Sequence, residues 1–133
     1  MLLKATLVVI GVIQVVLGVV LLVPGLAVTL LDLESAPGWT DWLLVMFAAR
    51  ALGFGYGMFI AARDPAAHRS WIRAMVGVQL VDWIGTIGYL LGGQVTLAQV
   101  TTAAFLPVVF VVILLARFPH RPASRELPQE SHK

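Results

Sequence analysis

The sequence predicts an all-α integral membrane protein, an antiparallel bundle of four transmembrane helices with both termini in the cytoplasm. Two observations predict this fold. Of the 133 residues, 59% are apolar and only 12% are charged, whereas about 25% of residues in soluble domains are charged. The apolar residues also form four continuous blocks, each long enough for the ~20 helical residues that cross a bilayer. The predicted spans are about 5–23, 42–62, 71–91 and 97–116.

The first block begins near Ala5 and ends at Pro24-Gly25. Its apolar core is longer than the roughly 7–15 residues of a signal peptide, and no clear cleavage site follows, so we expect it to be a retained span. The blocks are continuously apolar rather than alternating, which favours helices over the strands of a barrel. Residues 26–35 either continue the first helix beyond a kink or lie along the surface.

Local patterns indicate where the later spans begin and end. Gly92-Gly93 is typical of a helix C-terminus, and Thr96 followed by Gln99 matches a capping box at the start of the fourth span. The short links after spans two and three predict antiparallel neighbours. Residues 1–116 are therefore predicted to form the transmembrane domain. Residues 117–133 are polar and contain proline, and we predict that they are a disordered cytoplasmic tail.

The distribution of basic residues predicts the orientation. Cytoplasmic loops carry an excess of Lys and Arg, and the first outer link carries acidic residues instead. We therefore predict cytoplasmic termini in the cell inner membrane, with the lipid bilayer as partner. Eight of the nine basic residues fall on one side: Lys4, Arg63, Arg69, Arg73, Arg117, Arg121, Arg125 and Lys133. Because these residues flank the spans, the net charge of +2 does not indicate nucleic-acid binding.

The ninth basic residue, Arg50, lies in the middle of the second span, and Asp82 lies in the middle of the third. A charge at bilayer depth costs ~2.5–3.5 kcal/mol on insertion scales, so it is rarely there without a role. The two residues have opposite charges and nearly equal depth in one helical hairpin, which predicts a buried ion pair. Gln14 and Gln79 would satisfy its spare hydrogen-bonding groups, and Thr86 and Tyr89 extend the polar stripe of the third span.

This polar cluster has three interpretations. In the first, the ion pair fixes helix register and has no further role. In the second, the cluster is a pocket that binds a small or lipid-like molecule, or a site that passes protons. In the third, one of the two charges faces a partner subunit.

Small residues predict where helices approach closely. Stripes of small residues let helices in a membrane pack tightly, either within one chain or across a dimer interface. The predicted helix-packing residues are Ala49, Gly53, Gly57 and Ala61 on the second span and Gly11 and Gly18 on the first. Pro107 lies in the middle of the fourth span, where we expect it to kink the helix and leave the carbonyl of Ala103 without its usual donor.

Several classes of chemistry are disfavoured. The chain has no cysteine, which excludes disulfides and thiolate metal sites. Its three histidines, His68, His120 and His132, lie outside the predicted spans, so we expect no metal and no haem cofactor. We find no phosphate-binding glycine loop and no nucleophile beside a base. Enzymatic activity on a lipid or quinone is the third of three hypotheses and is not the one we favour.

The sequence resembles the DoxX-related group of small bacterial four-helix membrane proteins. The resemblance lies in a glycine-spaced first helix that ends in Pro-Gly (IGVIQVVLGVVLLVPG), an arginine before a glycine series in the second (ARALGFGYGMFIAARDP) and a basic C-terminus. It implies an accessory role beside a membrane-linked redox or quinone enzyme. We therefore predict a non-enzymatic accessory protein or subunit built around Arg50 and Asp82, in a homo-oligomer or larger complex. The alternative is a binder or transporter of a small or lipid-like molecule.

Overall fold

The structure is a computed structural model that describes residues 1–30, 32 and 36–120. Over these residues it is all-helical, with five helices and no strand. They are α1 (Leu2–Leu21), α2 (Pro24–Leu30), α3 (Trp39–Arg63), α4 (Arg69–Leu91) and α5 (Leu97–Ala116). All except α2 are long and apolar enough to cross a membrane, which confirms the prediction of an all-α chain with four such helices. Most of the predicted disordered tail, residues 121–133, lies outside the described residues.

The largest interface between helices joins α1 and α3, because glycines let their backbones approach. A Cβ atom added to Gly11 would lie 3.2 Å from the carbonyl oxygen of Gly55. A second close approach in the same interface lies two turns further along α1, where a Cβ atom on Gly18 would lie 3.2 Å from the carbonyl oxygen of Ala48. Tight packing of this kind is how helices associate in lipid, where no hydrophobic effect drives them together.

The segment after α1 contains the short helix α2. α1 ends at Leu21, and a new helix begins at Pro24, which suits a first helical position because its missing N–H would have no partner there. Ala27 is fully buried and clusters with Leu21 and Ala48. Residues 24–30 therefore form a separate short helix that packs on α1 and α3, and residues 31 and 33–35 lie outside the described residues.

The main core lies toward one end of the long helices, the end near the link between α3 and α4. Each long helix contributes to it; the buried members are Leu7, Ile10, Met58, Ala61, Ala62, Ile72, Met75, Phe110 and Leu114. The buried residues of α4 are Ile72, Met75 and Gln79, all in its first half, and residues 80–91 are half-buried or exposed. The contact of α4 with α3 is therefore concentrated near their link.

The long helices contact one another in the order α1, α3, α4 and α5, and α5 also contacts α1. α4 and α5 are joined by a hydrogen bond in which the indole Nε1–H of Trp83 donates to the carbonyl oxygen of Ala104 (2.9 Å). The start of α5 follows the predicted capping pattern, since the Gln99 side chain accepts from the main-chain N–H of Thr96 (2.9 Å).

The backbone of α5 departs from helical angles at Val100 (φ −116°, ψ 16°). The break thus lies nearly two turns before Pro107, the residue at which the sequence predicts a kink. The carbonyl of Ala104, three residues before the proline, receives the Trp83 indole. An indole from the neighbouring helix therefore hydrogen-bonds to the main chain in the turn that the proline interrupts.

Candidate functional site

A cavity of about 360 Å³ lies between α1, α3 and α4 and is partly open to the surface. Each of the three helices contributes one polar side chain to its wall: Gln14 from α1, Arg50 from α3 and Asp82 from α4. The remaining lining is almost entirely apolar: Leu17, Phe47, Ala51, Phe54, Gly77, Val78 and Val81. The sequence predicted these three polar residues as members of one cluster, and they share this cavity.

The α1–α3 crossing places Gln14 in the cavity wall. Gly11, Gln14 and Gly18 lie on one face of α1 because they are three and four residues apart. The two glycines lie against α3, so the residue between them is carried into the same interface and is only 8% exposed. On α3, Arg50 precedes the buried Ala51 and lies at the edge of this interface, where it is exposed.

The predicted buried ion pair between Arg50 and Asp82 is not formed. In the part of the chain that the structure describes there is no buried salt bridge, and both side chains are exposed. The reason lies in how α3 meets α4. Gly57 lies directly against the Trp71 ring, and Phe54 meets the same ring edge-on at 6.2 Å. Beyond these contacts the cavity separates the two helices, so equal depth in the hairpin does not bring the charges into contact.

The polar stripe predicted on α4 is divided between different surroundings. Gln79 is 7% exposed and lines a second, smaller cavity of about 170 Å³ with Trp83 and residues of α5. Thr86 donates its hydroxyl to the carbonyl oxygen of Asp82 in its own helix (2.8 Å). Tyr89 is exposed. Of the six predicted polar residues, only Gln14, Arg50 and Asp82 therefore meet at one site.

The predicted small-residue stripe of α3 is also divided. Gly57 packs against Trp71 and Ala61 is fully buried, whereas Ala49 and Gly53 are exposed. A Cβ atom on Gly53 would have no neighbour within 4 Å. Sequence reasoning missed Gly55, which faces α1. The available signal was a second series of small residues on α3, at Ala48, Ala51, Gly55 and Ala62.

Comparisons of the chain with protein-family models, curated proteins and solved structures found no match. The resemblance to DoxX-related proteins therefore stays a prediction. Within residues 1–30, 32 and 36–120, no group of three or more His, Asp and Glu side chains is placed to hold a metal ion.

The chemical groups that line the cavity between α1, α3 and α4 indicate what it could bind. A guanidinium offers five N–H donors, a carboxylate accepts hydrogen bonds, and an amide does both. The apolar walls between them would accommodate hydrocarbon. This combination suits a molecule with a polar end and an apolar body.

Proposed function

We propose that this chain is a multi-pass protein of the cytoplasmic membrane that binds a small amphipathic molecule in the cavity between α1, α3 and α4. One observation carries the proposal: polar side chains from three helices converge on an apolar-walled cavity of about 360 Å³. Ligand sites typically enclose roughly 300–1,000 Å³ and combine mostly apolar walls with a few polar groups that orient the ligand.

In this proposal the helices alternate in direction and both termini are cytoplasmic. The Nζ of Lys4 lies 3.3 Å from the carbonyl oxygen of Arg63, which brings the start of α1 to the end of α3. Short links then return the chain through α4 and α5. The excess of Lys and Arg at this end supports a cytoplasmic position.

The cost of charge in a membrane explains why a polar ligand is favoured here. Arg50 and Asp82 each cost ~2.5–3.5 kcal/mol at the centre of a span, and they do not neutralise each other by direct contact. A ligand that accepts hydrogen bonds from Arg50 and donates to Asp82 would recover part of this energy. Its apolar body would lie along residues such as Phe54 and Val78. Gln14 would supply a further hydrogen bond whose direction is set by the ligand.

The experiment is to purify the full chain in lipid nanodiscs and to identify retained small molecules by native mass spectrometry. Asp82→Asn removes a charge with little change of shape, and Arg50→Gln removes the guanidinium but keeps a polar side chain. Each should weaken retention about 10- to 100-fold, since a hydrogen bond to a charged group contributes ~1.5–3 kcal/mol. Arg63→Gln is the matched control, because it removes one positive charge from an exposed position outside the cavity. Equal retention by all four proteins, or no retained molecule in the wild type, would contradict the proposal.

A second candidate is an accessory subunit that acts in a homo-oligomer. The observation that favours it is one exposed face of α3, which carries Ala49, Gly53 and the large apolar side chains of Trp42 and Met46. A second copy covering this surface would place another helix beside the cavity. Because the chain has no cysteine, Gly53→Cys in a membrane preparation should form disulfide-linked dimers under mild oxidation. Val12→Cys, exposed on α1, is the control that should remain monomeric.

A further inference from the structure

Two arginines near the start of α4 lie over one aromatic ring. The Cζ atom of Arg69 is 5.0 Å from the centroid of the Phe118 ring, and that of Arg73 is 5.4 Å away. Both distances are within the ~6 Å over which a ring face attracts a cation. Phe118 follows α5 and packs against the main core, so the ring is held in place. The ring therefore holds two positive charges close together, although like charges one helical turn apart repel each other.

The two arginines line a groove of about 570 Å³ whose other walls are Ala66, Ala67 and Ser70. No carboxylate is among these lining residues, although the Oδ1 atom of Asp64 accepts a hydrogen bond from the main-chain N–H of Ala67 (3.1 Å). The Nε atom of Arg69 is buried and, within the described part of the chain, has no hydrogen-bond partner. The first turn of α4 lies at the same end of the helix, where main-chain N–H groups lack the usual helical partner, and that of Trp71 donates to the carbonyl oxygen of His68 (3.1 Å). The groove thus combines two guanidinium groups with the positive end of the α4 dipole.

We propose that this groove is a binding site for a phosphate group, carried by an anionic lipid headgroup or free in solution. Guanidinium groups bind phosphate oxygens through paired, charge-assisted hydrogen bonds. The stacking on Phe118 holds both guanidiniums in place before binding, which lowers the entropic cost of the interaction. The Ser70 hydroxyl is a further donor on the groove wall.

The position of the groove along α4 matches the depth of lipid headgroups. α4 contains 23 residues, or ~34 Å at 1.5 Å per residue, slightly more than the ~30 Å of the hydrocarbon core. Arg69 is its first residue and Arg73 lies one turn further in. Both guanidiniums would therefore reach the phosphate layer of one leaflet. This site is separate from the cavity of Arg50 and Asp82, and its test does not depend on that cavity.

The test uses the full chain in phosphatidylcholine nanodiscs and measures, by electron paramagnetic resonance, the association of spin-labelled phosphatidylglycerol relative to spin-labelled phosphatidylcholine. Arg69→Gln with Arg73→Gln should reduce this relative association by about 30-fold, or ~2 kcal/mol, because the double variant loses the charge-assisted hydrogen bonds to the phosphate group. The control is Arg63→Gln with Arg117→Gln, which removes the same charge from the same end of the bundle outside the groove. It should reduce association less than threefold. Equal losses in the two double variants would overturn the proposal.

Two conservative changes separate a built site from general attraction. Phe118→Leu keeps an apolar side chain but removes the ring, so association should fall several-fold with every charge retained. Arg69→Lys with Arg73→Lys keeps the charge but loses the planar donors, so it should also weaken association. If both behave as wild type while eluting as folded protein in size exclusion, the groove has no specific role and the proposal is wrong.

Inorganic phosphate distinguishes the two sources of the phosphate group. In a zwitterionic detergent, millimolar phosphate should displace the spin-labelled phosphatidylglycerol if the groove accepts a free phosphate group. If phosphatidylglycerol association depends on the arginines but is unchanged by phosphate, the group is recognised as part of a lipid headgroup. If the arginine variants change the binding of neither probe, the site does not exist.

Discussion

Gly55 is the position at which the packing of α1 against α3 is most directly testable. A Cβ atom there would lie 2.7 Å from Cγ2 of Val15 and 3.1 Å from the carbonyl oxygen of Gly11. Val15 is β-branched and is largely restricted to one rotamer in a helix, and the second neighbour is backbone. Neither can move away without displacing α1. We therefore expect Gly55→Ala to separate the two helices, and this overpacking to lower the free energy of unfolding by ~1–3 kcal/mol before any gain in helix propensity is counted.

Gly53 provides a control in the same helix. A Cβ atom on Gly53 would meet nothing within 4 Å, so Gly53→Ala adds the same methyl group without a collision. Replacing glycine by alanine inside a helix also contributes up to ~1 kcal/mol through helix propensity. That contribution is common to both substitutions and cancels in their difference. The two variants should therefore differ in unfolding free energy by ~1–3 kcal/mol, with Gly53→Ala at or above the wild-type value.

The free energy of unfolding of the wild type and the two variants is measured in bicelles, where steric trapping reports reversible unfolding. Size exclusion before the measurement establishes that each protein is folded and of one oligomeric state. The reasoning would be refuted if Gly55→Ala were as stable as Gly53→Ala, because the close approach of α1 and α3 at Gly55 would then not exist. A loss of stability in Gly53→Ala alone would place the tight interface on the opposite face of α3.

Two further predictions concern α5 and the topology. Trp83→Phe removes the indole N–H that donates to the carbonyl oxygen of Ala104 and should lower the free energy of unfolding by ~0.5–1.5 kcal/mol. The same change at the exposed Trp42 is the control and should have little effect. Equal effects of the two substitutions would show that the hydrogen bond does not contribute to stability. In intact cells a membrane-impermeant maleimide should label Gly38→Cys but label His120→Cys only after permeabilisation, and the reverse pattern would contradict cytoplasmic termini.

The helices are the part of the fold that the sequence predicts best. A backbone in hydrocarbon has to satisfy its own hydrogen bonds, so an apolar block of sufficient length specifies a helix without reference to its neighbours. The observed long helices begin and end within three residues of the predicted spans. The path of residues 26–35 could not be predicted, because Pro24-Gly25 indicates a break but not whether the chain continues the first helix beyond a kink or lies along the surface.

The sequence singles out the polar residues that line the candidate cavity, but it does not predict how they are arranged in space. The cost of a buried charge singles out Arg50 and Asp82 in any apolar block, and glycine spacing singles out Gln14. The position of two residues along a helical hairpin gives their relative depth in the membrane but not the distance between their helices. The prediction of an ion pair was therefore wrong. Likewise Gln79 and Asp82 are three residues apart, or about 60° around a helix, which is enough for one to face α5 while the other faces α3.

The separation of Arg50 and Asp82 has an energetic consequence that a charge exchange would test. Left uncompensated at bilayer depth, the two charges would cost ~5–7 kcal/mol together, about as much as the whole stability of many proteins, and polar contents of the cavity would recover part of this energy. Reversing either charge alone gives the cavity two like charges and should lower the folded yield. Arg50→Asp combined with Asp82→Arg makes it neutral again and should recover part of the yield, but not the retained molecule, because donor and acceptor have exchanged helices. Wild-type retention by the double variant would contradict an oriented ligand.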